Sequence, residues 1–128
     1  MAKAIIQMSS PAASIGPYSP GAGGEGVLFL SGRAALDPAG RVVAPGDPRA
    51  QTMETLKGIQ AVLAAAGGRM EDVVKTTVFL SDMRHYAAMN EAYAKFFPRD
   101  PPARSTVLAR PPQAGLLVEI DVIAIVGD

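Results

Sequence analysis

From Leu116 to Val126 the chain reads Leu-Leu-Val-Glu-Ile-Asp-Val-Ile-Ala-Ile-Val. A β-strand sends successive side chains to opposite faces. Leu116, Val118, Ile120, Val122, Ala124 and Val126 therefore share one wholly apolar face, fit to pack on helices. Leu117, Glu119, Asp121, Ile123 and Ile125 share the other. Three large apolar residues on that second face need a cover, and another subunit is the simplest one. The pattern thus predicts a homo-oligomer, with Glu119 and Asp121 at or near its interface.

The remaining elements follow from the same reading. Lys3 to Met8 is a short strand candidate, and Val27 to Gly32 reads as a buried strand that stops at glycine. Between them runs a Gly-, Pro- and Ser-rich connection, Ser9 to Gly26, long enough to suggest a functional loop. Asp37 to Gly40 is a turn signature, followed by a short strand, Arg41 to Val43. Asp47 and Pro48 supply an N-cap and a first-turn proline. Met53, Leu56, Ile59, Leu63 and Ala66 then fall on one helical face, and Gly67-Gly68 ends it. Asp72 to Leu80 is rich in β-branched residues and reads as a strand. Ser81-Asp82 caps a second helix with Tyr86, Met89, Tyr93 and Phe96 as its buried stripe, and Pro98 stops it. Ala103 to about Leu108 is a further strand. Two helices among five or six strands predict a single α+β domain over residues 1–128, with both helices on one sheet face.

Composition narrows the chemistry. A chain of 128 residues, 48% apolar and 19% charged, is globular and holds a real core. Acids and bases balance, which argues against a dedicated nucleic-acid binder. The absence of cysteine excludes disulfides, a thiol nucleophile and thiolate metal sites. With His85 as the one histidine, a multi-histidine zinc site within one chain is also excluded. The first ten residues hold too short an apolar run for a signal peptide, and no segment could span a bilayer. A soluble cytoplasmic protein without a membrane partner is the expectation.

Against that background Arg104 stands out. It follows Pro101-Pro102 and opens a strand, where it is either a solvated strand-end charge or a clamp. Guanidinium offers a planar fork that binds a carboxylate in two parallel bonds, and the prolines fix its approach. Glu119 lies among aliphatic residues, where a carboxylate is costly unless bonded. It is either a structural partner for a basic residue or a proton-transfer group whose pKa burial raises. Tyr18 is a surface loop residue or a lid, and Ser31 is a turn residue or part of a cleft. Asn90 is a solvated helix residue or a polar group facing a neighbouring chain.

Together, "GPYS", "SG" after an apolar strand, "VVKTTVFLSDM", "MNEAYAKFF", "PPARSTV" and "VEI" resemble, in order, the reactive-intermediate deaminase (Rid, YjgF-like) family. The resemblance runs over nearly the whole chain, and the "PAR…E" pair is its specific part. It implies a chorismate-mutase-like fold: a mixed six-stranded sheet with two helices on one face. It also implies a homotrimer whose sheets form a central barrel, with sites between subunits. Characterised members hydrolyse enamines and imines, such as 2-aminoacrylate and 2-iminobutanoate, to 2-keto acids and ammonia. These reactive compounds leak from pyridoxal-phosphate enzymes. Carried over by motif, Arg104 binds the substrate carboxylate and Glu119 acts through water on proton transfer. Tyr18 and Ser31 line the cleft, Asn90 approaches from a helix, and the Thr106 backbone holds the imine or the attacking water. No metal or cofactor is required.

The chain departs from the family pattern at two of these places. Many deaminating members have cysteine where this chain has Thr106, and well-studied members often have glutamine where it has Arg33. Arg33 as a second cation near Arg104 would favour a dicarboxylate or otherwise more acidic substrate. Two further readings stand beside the deaminase. One is a non-catalytic member that binds a small carboxylate or acts as a regulator or chaperone. The other is a deaminase of one pathway, acting on an aminomuconate-like enamine. Ribonuclease activity, proposed for relatives, fits poorly with a neutral chain.

Overall fold

The computed structural model of the chain describes residues 2–8 and 16–127. The first part of the Ser9 to Gly26 connection, residues 9–15, lies outside them. Six strands and two helices follow in order: β1 (Ala4–Ile5), β2 (Gly21–Gly24), β3 (Val27–Ala34), α1 (Pro48–Ala65), β4 (Val73–Leu80), α2 (Tyr86–Phe96), β5 (Ala103–Leu108) and β6 (Val118–Ile125). They form one sheet in the order β1-β2-β3-β6-β4-β5. Every pairing is antiparallel except β4 with β5, which α2 joins as a parallel crossover. The fold is the expected α+β one with a mixed six-stranded sheet. Among the described residues no helix is long and apolar enough to cross a membrane.

The β6 alternation organises the core. Leu116, Val118, Ile120, Val122 and Ala124 are buried beneath the helices, while Glu119, Asp121 and Ile123 are half-buried and Ile125 is exposed on the other face. Helix α1 lies over β3 and β6 and against α2. It buries Leu56, Ile59, Val62 and Leu63 completely, each contributing about 1.5–3 kcal/mol of transfer free energy. Its start is capped as expected: the Asp47 carboxylate accepts from Ala50 N at 3.0 Å. Its end closes when Gly67 N and Gly68 N donate to Ala64 O and Leu63 O, with Gly67 at φ 79°.

Several elements differ from the sequence expectation. Gly21–Gly24 is a strand, paired with both β1 and β3, inside what reads as a loop. Four residues without large side chains carry no apolar alternation, so only their backbone bonds reveal them. Arg41 to Val43 is no strand, making one bridge, Leu36 with Val42. Asp82 caps a 3-10 turn, Met83–His85, by accepting from Arg84 N at 2.9 Å, and α2 begins after it. The buried face of α1 also includes Gln51, Thr52 and Thr55. The Gln51 amide donates to Ala44 O and Gly115 O and accepts from Leu117 N. One buried side chain thereby ties two loops to the helix.

Candidate functional site

Arg104 sits on the last strand of the sheet, in register with Thr76 of β4. Thr76 and Val78 are buried under α2, so Arg104 and Thr106, their register partners, point to the helix-covered face. There the guanidinium meets α2. It donates to the Tyr86 phenol at 3.1 Å and approaches Met89 Sδ at 3.8 Å. It also lies over the Tyr93 ring at 4.9 Å and beside the Tyr86 ring at 5.7 Å. Among the described residues no carboxylate lies within ion-pair distance of it. Its cradle is made of neutral groups, so its charge remains available to an anion. Burial raises the Tyr93 phenol above its ordinary pKa, against smaller lowering effects from Thr76 and Arg104, and the ring stays neutral.

Strand β5 has an open edge. Ala109 N donates to Leu80 O, and groups facing a parallel partner recur at every second residue. The N–H and C=O groups of Arg104, Thr106 and Leu108 therefore point away from β4, along the free edge. Asn90 lies four residues after Tyr86, on the same side of α2, and is half-buried. Arg104, Thr106 and Asn90 thus converge with Tyr86 at one edge of the molecule.

Glu119, Ser31 and Tyr18 gather elsewhere. Glu119 pairs with Phe79 of β4 and Ala34 of β3, on the face the helices leave bare. A β-bulge between Leu30 and Arg33 sets Ser31 and Gly32 beside it. A Cβ built on Gly32 would stand 2.4 Å from Glu119 Oε2, so the carboxylate occupies room that glycine leaves. Among the described residues it pairs with no cation. Desolvation, reinforced by Asp121, raises its pKa above the usual carboxylate range. Ser31 Oγ donates to Ser19 O at 2.6 Å, and Ser31 N donates to Pro20 O at 3.0 Å. These bonds hold the short segment that presents Tyr18, whose ring is 56% exposed. A groove of about 400 Å³ opens there, lined by Tyr18, Ser31, Phe29, Ile5 and Lys3.

The sequence-derived residues therefore form two half-sites on opposite faces of the sheet. Arg104, Thr106 and Asn90 lie on one side; Tyr18, Ser31 and Glu119 lie on the other. A small molecule cannot touch Arg104 and Glu119 of the same chain. Arg33 lies on the helix-covered face, away from Arg104 of its own chain but within electrostatic reach of Tyr18. It pairs with Ile120 on the helix-covered face and its guanidinium lies flat against Gly58 of α1, where a Cβ would be 3.1 Å from Nη2. Burial lowers its pKa, with an opposing effect from Tyr18. Within one chain it stands three strand spacings, roughly 14 Å, from Thr106 and farther still from Arg104. Tyr86, Met89 and Tyr93 read as core in the sequence because a helical stripe cannot show what lies beneath it. Tyr86 is 36% exposed, and all three serve Arg104.

Known proteins share this fold. The family model described as Endoribonuclease L-PSP matches residues 8–126. The Yersinia pestis protein YyfA, of the conserved Rid protein family, is 39% identical with a TM-score of 0.88, over 98% of this chain and 100% of that one. The Escherichia coli YjgF gene product is 35% identical with a TM-score of 0.85, over 95% and 98%. Escherichia coli TdcF, solved with bound serine, is 32% identical with a TM-score of 0.87, over 97% and 99%.

Proposed function

The chain belongs to the Rid, or YjgF-like, family, whose family model carries the description Endoribonuclease L-PSP, and on that premise we propose that it hydrolyses small 2-imino and 2-enamino acids. The products are the 2-keto acid and ammonia. The observation that carries this reading is the guanidinium of Arg104: held by neutral groups, without an acidic partner among the described residues, at an open strand edge. A carboxylate is the ligand that completes it, and the bidentate fork fixes the ligand's plane. TdcF, a relative, binds serine, a small molecule carrying such a carboxylate.

The two half-sites meet in this reading at the boundary between two copies, in a homotrimer that covers the bare sheet face. Arg104 of one copy holds the carboxylate, with the Thr106 backbone and Asn90 beside it. Tyr18, Ser31 and Glu119 of a second copy close the cleft. An enamine first takes a proton on its β-carbon and becomes the imine; water then adds to the C=N carbon and gives up a proton, the nitrogen takes one, and the C–N bond breaks to release ammonia and leave the keto group. Glu119, with its pKa raised by burial, is suited to carry that proton by way of water. Imines hydrolyse unaided, so orientation supplies most of what is needed. Thr106 contributes through its backbone, which suits a position where side chains vary. No metal or cofactor enters this mechanism.

RNA cleavage, named in the family description, is supported less well. RNA binding draws on clustered cations, whereas twelve acids here balance twelve bases and Arg104 sits alone among aromatic rings. The test generates imines from several amino acids with an amino-acid oxidase and follows their trapping by semicarbazide. The protein should suppress trapping, and Arg104→Ala should not. Wild-type protein that binds 2-oxobutanoate yet leaves trapping unchanged would support the non-catalytic carboxylate-binding reading instead.

A further inference from the structure

The floor beneath Arg104 is built with more polarity than packing requires. Among the helix-facing residues of β4, Val78 and Leu80 are aliphatic, but Thr76 is polar and completely buried. A buried hydroxyl is unfavourable unless bonded, and valine would fill the same space. The Thr76 hydroxyl shares a hydrogen bond with the Tyr93 phenol at 2.8 Å. Tyr93 is itself buried, with its ring tilted against Phe97 at 4.7 Å. Its upper face carries the Arg104 guanidinium at 4.9 Å. The circuit closes through the sheet, because Thr76 is the register partner of Arg104.

We propose that Thr76 and Tyr93 are positioning residues for Arg104. Their shared hydrogen bond fixes the ring on which the guanidinium rests, and so the plane of the fork that meets the ligand. The inference rests on the reading of Arg104 as a carboxylate clamp. Its physical logic is that arginine must be oriented without being neutralised. An acidic residue would orient the fork but compete with the ligand for it. A phenol ring attracts the cation through its face and leaves the N–H groups free. The ring alone can slide and tilt, and tethering its hydroxyl to the strand beside Arg104 removes that freedom. Tyr86 differs, since its hydroxyl accepts a hydrogen bond from the guanidinium and it is partly exposed at the mouth.

The test compares Thr76→Val, Tyr93→Phe and Thr76→Ser with wild type. Calorimetry gives Kd for 2-oxobutanoate, imine assays give kcat and KM, and NMR relaxation gives the order parameter of the Arg104 Nε–H. Thr76→Val and Tyr93→Phe should each raise Kd and KM about fivefold, with kcat within about twofold, as loss of one orienting bond implies. Thr76→Ser, which keeps the hydroxyl, should restore both. In an Arg104→Ala background neither substitution should have a further effect. The Arg104 order parameter should fall in Thr76→Val and recover in Thr76→Ser. Unchanged Kd and order parameter, with only a lower Tm, would make the pair structural and overturn the proposal. Should wild type bind carboxylate without hydrolysing imines, the deaminase reading fails while Kd still decides Thr76. Should it bind no carboxylate, the clamp reading fails, and the order parameter alone decides whether the pair orients Arg104.

Discussion

The two faces of the sheet treat charge in opposite ways. On the helix-covered face, Arg104 rests among Tyr86, Met89 and Tyr93, which hold it and leave it charged. On the bare face, Glu119 lies against Gly32, and burial, reinforced by Asp121, pushes it toward its neutral form. A cation and a carboxylate within one small domain could have paired. The strand alternation prevents it, because side chains of opposite parity cannot reach through a sheet. Among the described residues neither group has a partner of opposite charge in its own chain. Ionised Glu119 is thereby an unfavourable feature of the fold.

The largest expected effect breaks the helix-covered half. Arg104→Ala should lower imine turnover and 2-oxobutanoate affinity by about 100-fold or more, as loss of a charge-assisted bidentate contact does. Its Tm should stay within a few degrees, measured by circular dichroism. Dissociation or unfolding would make the arginine structural.

Glu119→Gln breaks the other half and should lower kcat by about 100-fold. The same substitution should stabilise the protein at pH 7. A carboxyl whose folded pKa is raised contributes stability below its unfolded pKa and loses it as pH rises through the folded one. The Tm gain of the glutamine variant should therefore be present at neutral pH and vanish near pH 4, in matched thermal melts. A gain independent of pH would remove desolvation as its cause.

Gly32→Ala sharpens the comparison by moving the carboxylate without discharging it. The new methyl collides with Oε2, so the acid must rotate away, and turnover should fall about tenfold, the scale of a small misplacement. Combined with Glu119→Gln it should add nothing, which a double-mutant cycle measures. Arg33→Gln should have the smallest effect. Its guanidinium rests on α1, away from Arg104 of its own chain, so the preference between mono- and diacid imines should change less than about threefold. A larger change, read from competing substrates, would bring Arg33 into the cleft.

Much of this was legible in the chain. The β6 alternation alone separates a core face from a second face with Ile123, Ile125, Glu119 and Asp121, and Pro101-Pro102 marks Arg104 as the start of a strand. The glycines of β2 were not legible, since a strand without side chains has no pattern to read. Nor was the burial of Gln51, whose partners lie in two loops, one seven residues away and the other more than sixty.

The sequence by itself determined the parity of each candidate residue along its strand, because alternation is a property of the extended backbone. Only the tertiary structure decided how those parities combine. The strand order puts β6 inside the sheet and β5 at its edge, so Glu119 faces out beside a bulge while Arg104 turns under α2. It also turned three residues of an apparent core stripe into the seat of a cation. Which side chains meet depends on non-local strand pairing and helix placement, and a one-dimensional pattern holds neither.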